Sequence, residues 1–133
     1  QAVIIGAGDL GRALVRAPMF EKRGVDVIAA FDVDSQQIGR VISDVTVHPM
    51  SEIGDFCRKH QVDIAVLTLP KDQTMAVADC LVELGVRGLW NFANMELEFK
   101  NEDVVIENIH LGDSLMKLCY EIKTRDEEKE IEE

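Results

Sequence analysis

The chain has 133 residues, 47% of them hydrophobic, with 25 acids against 14 bases and a formal net charge of -11. That is the length of one domain, enough to bury about two thirds of the surface of the unfolded chain, which excludes a miniprotein held by disulfides and a low-complexity disordered segment. The acidity also excludes this segment as a grip on a nucleic-acid backbone, because phosphate neutralisation needs clustered Lys and Arg.

The charge is uneven. Asp126 to Glu133 hold six acids and one Lys, a solvated tail, and leave 13 bases and 19 acids before them. Cys57, Cys80 and Cys119 are odd in number, far apart and without a C-x-x-C pair. They read as thiols buried in helices within a reducing compartment, the cytoplasm. No apolar stretch approaches the ~20 residues of a membrane span. The first residue is Gln1, and a strand-like run follows at once. That start points to a further segment on the N-terminal side.

Apolar, β-branched runs alternate with longer amphipathic stretches, the pattern of parallel strands covered on both faces by crossover helices. In chain order, a strand is predicted at Ala2 to Ile5, a helix at Asp9 to Arg23 and a strand at Val25 to Phe31. A weaker strand at Thr46-Val47 is followed by a helix at Met50 to His60 and a strand at Ile64 to Leu67. The next helix, Asp72 to Leu84, has Met75, Ala78, Cys80, Leu81, Val82 and Leu84 as its apolar face and Gly85 to end it. A strand at Gly88 to Asn91 and a weaker one at Val104 to Ile106 precede a last helix from Leu111 to about Glu128. Strand then helix, repeated, gives an open α/β sheet with right-handed crossovers. The last helix carries a stripe of Leu111, Leu115, Met116, Leu118, Cys119 and Ile122. Two readings are open for it: packing on its own sheet, or an arm laid on a second subunit.

Gly6-Ala7-Gly8-Asp9-Leu10-Gly11 matches G-x-G-x-x-G directly after a predicted strand and at the start of a predicted helix. In that context the first Gly allows the tight turn, the second lets backbone N–H groups approach a pyrophosphate, and the third permits close helix–strand contact. The helix N-terminus adds unpaired donors and partial positive charge. Asp32 stands 21 residues after Gly11, at the end of the second strand. An acid there can accept both ribose hydroxyls and repels a 2′-phosphate, which favours NAD over NADP. Its plain alternative is a solvated acid at a strand end. Asp34 is the weaker candidate.

Thr68-Leu69-Pro70 and Asn91-Phe92-Ala93 stop the next two strands where loops of such sheets cover a bound cofactor. Phe92 has plain core packing as its alternative.

Other chemistry is thinly represented. His48, His60 and His110 lack metal-ligand spacing, so no metal site is expected. Ser35, Ser43, Ser51 and Ser114 lie in no nucleophile elbow. A dehydrogenase needs a substrate region beyond the nucleotide fold, and 133 residues leave little for one. The expectation is a cofactor reader and not an enzyme.

The residues resemble the C-terminal NAD(H)-binding domain of Rex-type redox-sensing transcriptional repressors. The likeness runs through Gly6 to Leu14, Ala30-Phe31-Asp32-Val33-Asp34, Ile38-Gly39, Leu67-Thr68-Leu69-Pro70, Gly88-Leu89-Trp90-Asn91-Phe92-Ala93, and the last helix entered through Ile109-His110-Leu111. Asp9 stands where the family usually has Asn. The resemblance implies a Rossmann-like, doubly wound, mostly parallel sheet over residues 1–109. It also implies a helix with an acidic tail over 110–133, swapped onto the partner of a homodimer. A winged-helix domain on the N-terminal side would contact operator DNA when NAD+ is abundant and release it when NADH rises. Ala17 and His110 occupy positions where the family often shows Tyr and usually Asp, groups associated with the nicotinamide end. By the resemblance, His110 joins the candidate cofactor-binding residues, with a solvent-facing imidazole as its alternative. A second reading is the nucleotide-binding portion of an oxidoreductase or of a CoA-binding ligase subunit.

Overall fold

The computed structural model describes residues 1–93, 95–99, 103–109 and 111–132, without the side chains of 111–114, 116 and 132. Seven strands form one sheet: β1 (Ala2–Ile5), β2 (Val27–Asp32), β3 (Val41–Ile42), β4 (Val45–Pro49), β5 (Ile64–Leu67), β6 (Gly88–Asn91) and β7 (Val105–Asn108). Their order is β3-β4-β2-β1-β5-β6-β7, parallel throughout except at the β3–β4 edge. The helices are α1 (Asp9–Arg16), α2 (Met19–Lys22), α3 (Ile53–Lys59), α4 (Lys71–Glu83) and α5 (Leu111–Glu132).

Alternation along the central strands sorts the core into two layers. Val3, Ile5, Ala29, Phe31, Ala65 and Leu67 face α3 and α4, while Ile4, Ala30 and Val66 face α1 and α2. All four residues of β1 are fully buried, which is why its sequence reads as an uninterrupted apolar run. Each large side chain enclosed there, such as Phe31 or Ile4, contributes about 1.5–3 kcal/mol. Among the described residues no helix is long and apolar enough to cross a membrane.

The structure departs from the sequence reading at several places, with β2 starting at Val27 and α5 running to Glu132 among the smaller ones. The helix expected over Asp9 to Arg23 breaks at Ala17, whose ψ of 128° is extended, and resumes after Pro18. The proline ring disfavours helical geometry in the residue before it. At one edge of the sheet, β3 and β4 form a short hairpin around Ser43 and Asp44, both at positive φ as a tight primed turn requires. On α4 the buried positions are Thr74, Ala78 and Leu81, one face at helical spacing, whereas Met75 and Cys80 are exposed. Thr74 can be buried because its hydroxyl donates to the carbonyl of Pro70 at 2.9 Å. The three thiols expected to be buried are not: Cys57 is half-buried and Cys80 and Cys119 are exposed. Burial pushes the Cys57 thiol pKa up, with Cys80 adding to the shift.

Helix α5 differs from the rest. None of its described side chains is buried, and Leu115, Leu118, Tyr120 and Ile122 are all more than half exposed.

Candidate functional site

The strand order reverses between β1 and β5, since β2 and β4 lie to one side of β1 and β6 and β7 to the other side of β5. In open α/β sheets the crevice outside the carboxyl ends at such a point is where ligands bind. Four segments singled out from the sequence meet that end of the sheet: the glycine loop after β1, Asp32 at the end of β2, Thr68 to Pro70 after β5, and Asn91 to Ala93 at the end of β6.

The three glycines are required for three different reasons. Gly6 adopts φ +105°, and a Cβ there would overlap the Thr68 hydroxyl. A Cβ on Gly11 would overlap the backbone oxygen of Gly6, so α1 can leave β1 this closely only without a side chain. A Cβ on Gly8 would meet nothing within 4 Å. Gly8 therefore borders open space, the room a pyrophosphate would need. As the N-cap of α1 it supplies no side-chain acceptor to the first-turn amides. Those donors and the helix dipole suit an anion.

Asp32 is partly buried and fastened to the same loop. Its Oδ2 accepts from the Ala7 N–H at 2.7 Å, and Oδ1 accepts from the amides of Val33 at 2.7 Å and Asp34 at 2.9 Å. An ionised carboxylate has about four acceptor sites, so this geometry leaves one, on Oδ2, for a ribose hydroxyl. Ala7 is buried, Leu10 is 38% exposed, and Asp9 points outward to pair with Arg12.

Thr68 braces the loop. Its hydroxyl lies 2.9 Å from the Ile5 carbonyl and 3.0 Å from that of Gly6, while its amide donates to Ile5 at 2.9 Å. Pro70 is exposed and caps α4. Asn91 is enclosed: its Nδ2 donates to the carbonyl of Met95 and to Asn108 Oδ1, both at 2.8 Å, and its Oδ1 accepts from the Ala93 amide at 3.0 Å. Asn108 in turn bonds the Leu97 backbone in both directions, at 3.1 and 3.2 Å. The pair pins the segment after β6 over the carboxyl ends of β6 and β7. Phe92 is half-buried, edge-on to Trp90 with ring centroids 4.7 Å apart. His110 lies outside the described residues.

Residues not expected from the sequence also enter. Arg12 Nη1 donates to Gln37 Oε1 at 3.0 Å, and Arg40 Nη1 donates to the same oxygen at 2.9 Å. Arg12 directly follows the glycine pattern, which was the available signal; Gln37, Arg40 and Asn108 gave none.

The apolar cavity of about 310 Å³ lies elsewhere, lined by Phe20, Ile64, Leu89, Trp90 and Val105 on the α2 side of β5–β7. Arg23 and Glu107 are the charged side chains on its lining, and it lies away from the glycine loop and Asp32. Among the described residues, no three His, Cys, Asp or Glu side chains converge as metal ligands.

Comparison with known proteins agrees with this arrangement. Residues 1–95 match the family model described as a CoA binding domain. The chain belongs to that family. It is also 45% identical over 128 residues to the redox-sensing transcriptional repressor Rex of Caldicellulosiruptor bescii, which covers 96% of this chain and 58% of the relative. Among solved structures it is similar to RSP, a Rex-family repressor. The complex of RSP with β-NAD+ and operator DNA superposes with a TM-score of 0.87 at 36% identity, covering 98% of this chain and 60% of RSP. The RSP complex with β-NADH gives 0.86 at the same identity, with 98% and 62% covered. The family member described here thus spans about three fifths of the length of these relatives. The Rossmann-like, mostly parallel sheet and the Rex likeness read from the sequence both stand.

Proposed function

We propose that this chain is the NAD(H)-binding, redox-sensing module of a Rex-type transcriptional repressor, and that it binds the dinucleotide without turning it over. The observation that carries the reading is the Asp32 carboxylate tied to the Ala7 amide beside the open edge of Gly8, at the reversal of strand order. Asp32 takes a ribose hydroxyl, and the loop from Gly6 to Gly11 takes the pyrophosphate on the amides of Gly8, Asp9 and Leu10. Thr68, Pro70 and Phe92 border the nicotinamide end, and Asn91 acts there by holding its loop. The Thr68 hydroxyl is engaged by two carbonyls and offers no proton for chemistry.

Sensing then requires that the reduced and oxidised forms differ in affinity for two arrangements of a dimer. The apolar stripe on α5 is the surface through which a homodimer forms, each arm laid on the other subunit, with residues 1–109 as the nucleotide domain. Operator DNA is contacted by a further domain and not by this acidic chain, in the cytoplasm. His110 acts near the nicotinamide: a protonated imidazole disfavours the positively charged NAD+ ring, so preference for NADH rises as the pH falls through the histidine range.

A second reading, binding of CoA, is favoured by the family model matched over residues 1–95. Calorimetry with NADH, NAD+ and CoA at pH 6 and pH 8 separates the two. NADH binding that is weakened by Asp32→Ala is the expected result. Binding of CoA without NADH overturns the proposal, and an NADH/NAD+ ratio equal at both pH values removes the role of His110.

A further inference from the structure

We infer that Arg12 and Arg40 form a cationic seat for a phosphate on the adenosine ribose, and that the Asp32 carboxylate is the group that keeps this seat closed. The inference rests on the dinucleotide reading above and adds the residues that set which dinucleotide is accepted.

Two guanidinium groups converge on one neutral atom, Gln37 Oε1, at 3.0 and 2.9 Å. Like charges held on a shared neutral acceptor repel, and an anion between them relieves the repulsion. The convergence is notable in a chain with only 14 bases against 25 acids. Arg12 Nη2 also donates to one carboxylate at 2.6 Å, whereas Arg40 meets none within 4.0 Å among the described residues. The carboxylate beside Arg12 is that of Asp9, which is fully exposed and so weakly held in water.

The position of the pair follows from the backbone. Arg12 sits one helical turn beyond Gly8, its amide bonded to the Gly8 carbonyl at 2.9 Å. Gln37 lies in the turn that leaves Asp32: the Asp34 carbonyl accepts from the amides of Gln37 and Ile38 at 3.0 and 3.1 Å. The loop after β2 is therefore tied to the glycine loop and α1 twice, by Asp32 to Ala7 and by Gln37 to Arg12. These two ties frame the strip where the ribose of a dinucleotide meets the acid at the end of β2. A ribose phosphate entering there meets the Asp32 charge, which opposes it, and the planar guanidinium donors, which suit phosphate geometry. With Asp32 ionised the opposition wins, and only the unphosphorylated ribose is admitted.

The shared chemistry is a phosphomonoester on adenosine ribose, carried at the 2′ position by NADPH and at the 3′ position by CoA. Wild-type chain, Asp32→Ser, and Asp32→Ser combined with Arg12→Ala and Arg40→Ala are titrated calorimetrically with NADH, NADPH, 2′,5′-ADP and CoA. Ser is chosen because its hydroxyl can still accept from the Asp34 amide. Asp32→Ser is expected to tighten NADPH and 2′,5′-ADP by about a hundredfold relative to wild type, and the triple variant to lose that gain. A gain for CoA alone retains the seat and assigns it to a 3′-phosphate. No gain for any phosphorylated ligand, or a gain that survives loss of both arginines, overturns the inference. Failure of wild type to bind NADH overturns the dinucleotide reading instead, while 2′,5′-ADP still reports on the seat. Melting of each variant without ligand checks folding, and Asp32→Asn replaces Asp32→Ser if the latter does not fold.

Discussion

The loops at the carboxyl edge and the C-terminal helix present opposite kinds of unfinished business. At the carboxyl edge almost every polar group is satisfied from within: Asp32 by three amides, Thr68 by two carbonyls, Asn91 and Asn108 by each other and by the loop they hold. What stays open there is the space beside Gly8, where a Cβ would meet nothing within 4 Å. On α5 the backbone is satisfied by its own helix, but the apolar side chains of Leu115, Leu118 and Ile122 face water. The edge has its polar groups tied from within, whereas α5 carries apolar side chains that are left exposed. Water penalises the two differently: an unfilled gap costs little, while an uncovered apolar stripe is a standing drive to associate.

Breaking the arm should have the largest effect. Leu118→Asp with Ile122→Asp places two charges in the stripe, and the proposed homodimer is expected to fall to monomer by sedimentation at concentrations where wild type sediments as a dimer. A dimer that survives both charges rejects the arm. Next in size is Gly11→Ala, which forces a methyl onto the Gly6 carbonyl. It should cost at least about 3 kcal/mol and lower the melting midpoint by roughly 10 °C.

Asn91→Ala leaves the Ala93 amide and Asn108 without their buried partner, and about 2 kcal/mol is expected by denaturant titration. The smallest effect on stability belongs to Gly8→Val, because nothing lies within 4 Å of its Cβ and its φ of -75° is ordinary. That variant should melt within about 1 kcal/mol of wild type yet lose NADH binding. Equal destabilisation by Gly8→Val and Gly11→Ala would falsify the division of labour among the glycines.

Much of this was legible along the chain. Buried parallel strands advertise themselves as apolar runs, so β1, β5 and β6 fall where the composition places them. The weak signals at Thr46-Val47 and Val104 to Ile106 became β4 and β7 because those strands lie toward the sheet's edges and carry fewer apolar residues. The break at Pro18 was also legible from the chemistry of proline, although periodicity alone ran the helix through it. Less visible was which side of α4 is buried. Met75 and Cys80 look apolar in the sequence, but the sheet lies against Thr74, Ala78 and Leu81. Thr74 can occupy that face only because a carbonyl one turn back accepts its hydroxyl.

By itself, then, the sequence determined the alternation of strands and helices, the glycine loop and the acid after the second strand, because these depend on local periodicity and on the sterics of single residues. The tertiary structure alone decided how the groups are used. It turned Thr68 into a clamp on a loop 62 residues away, Asn91 and Asn108 into a brace across 17, and Arg12, Gln37 and Arg40 into one cluster. Such pairings depend on which strands become neighbours, and that is fixed by packing the whole sheet.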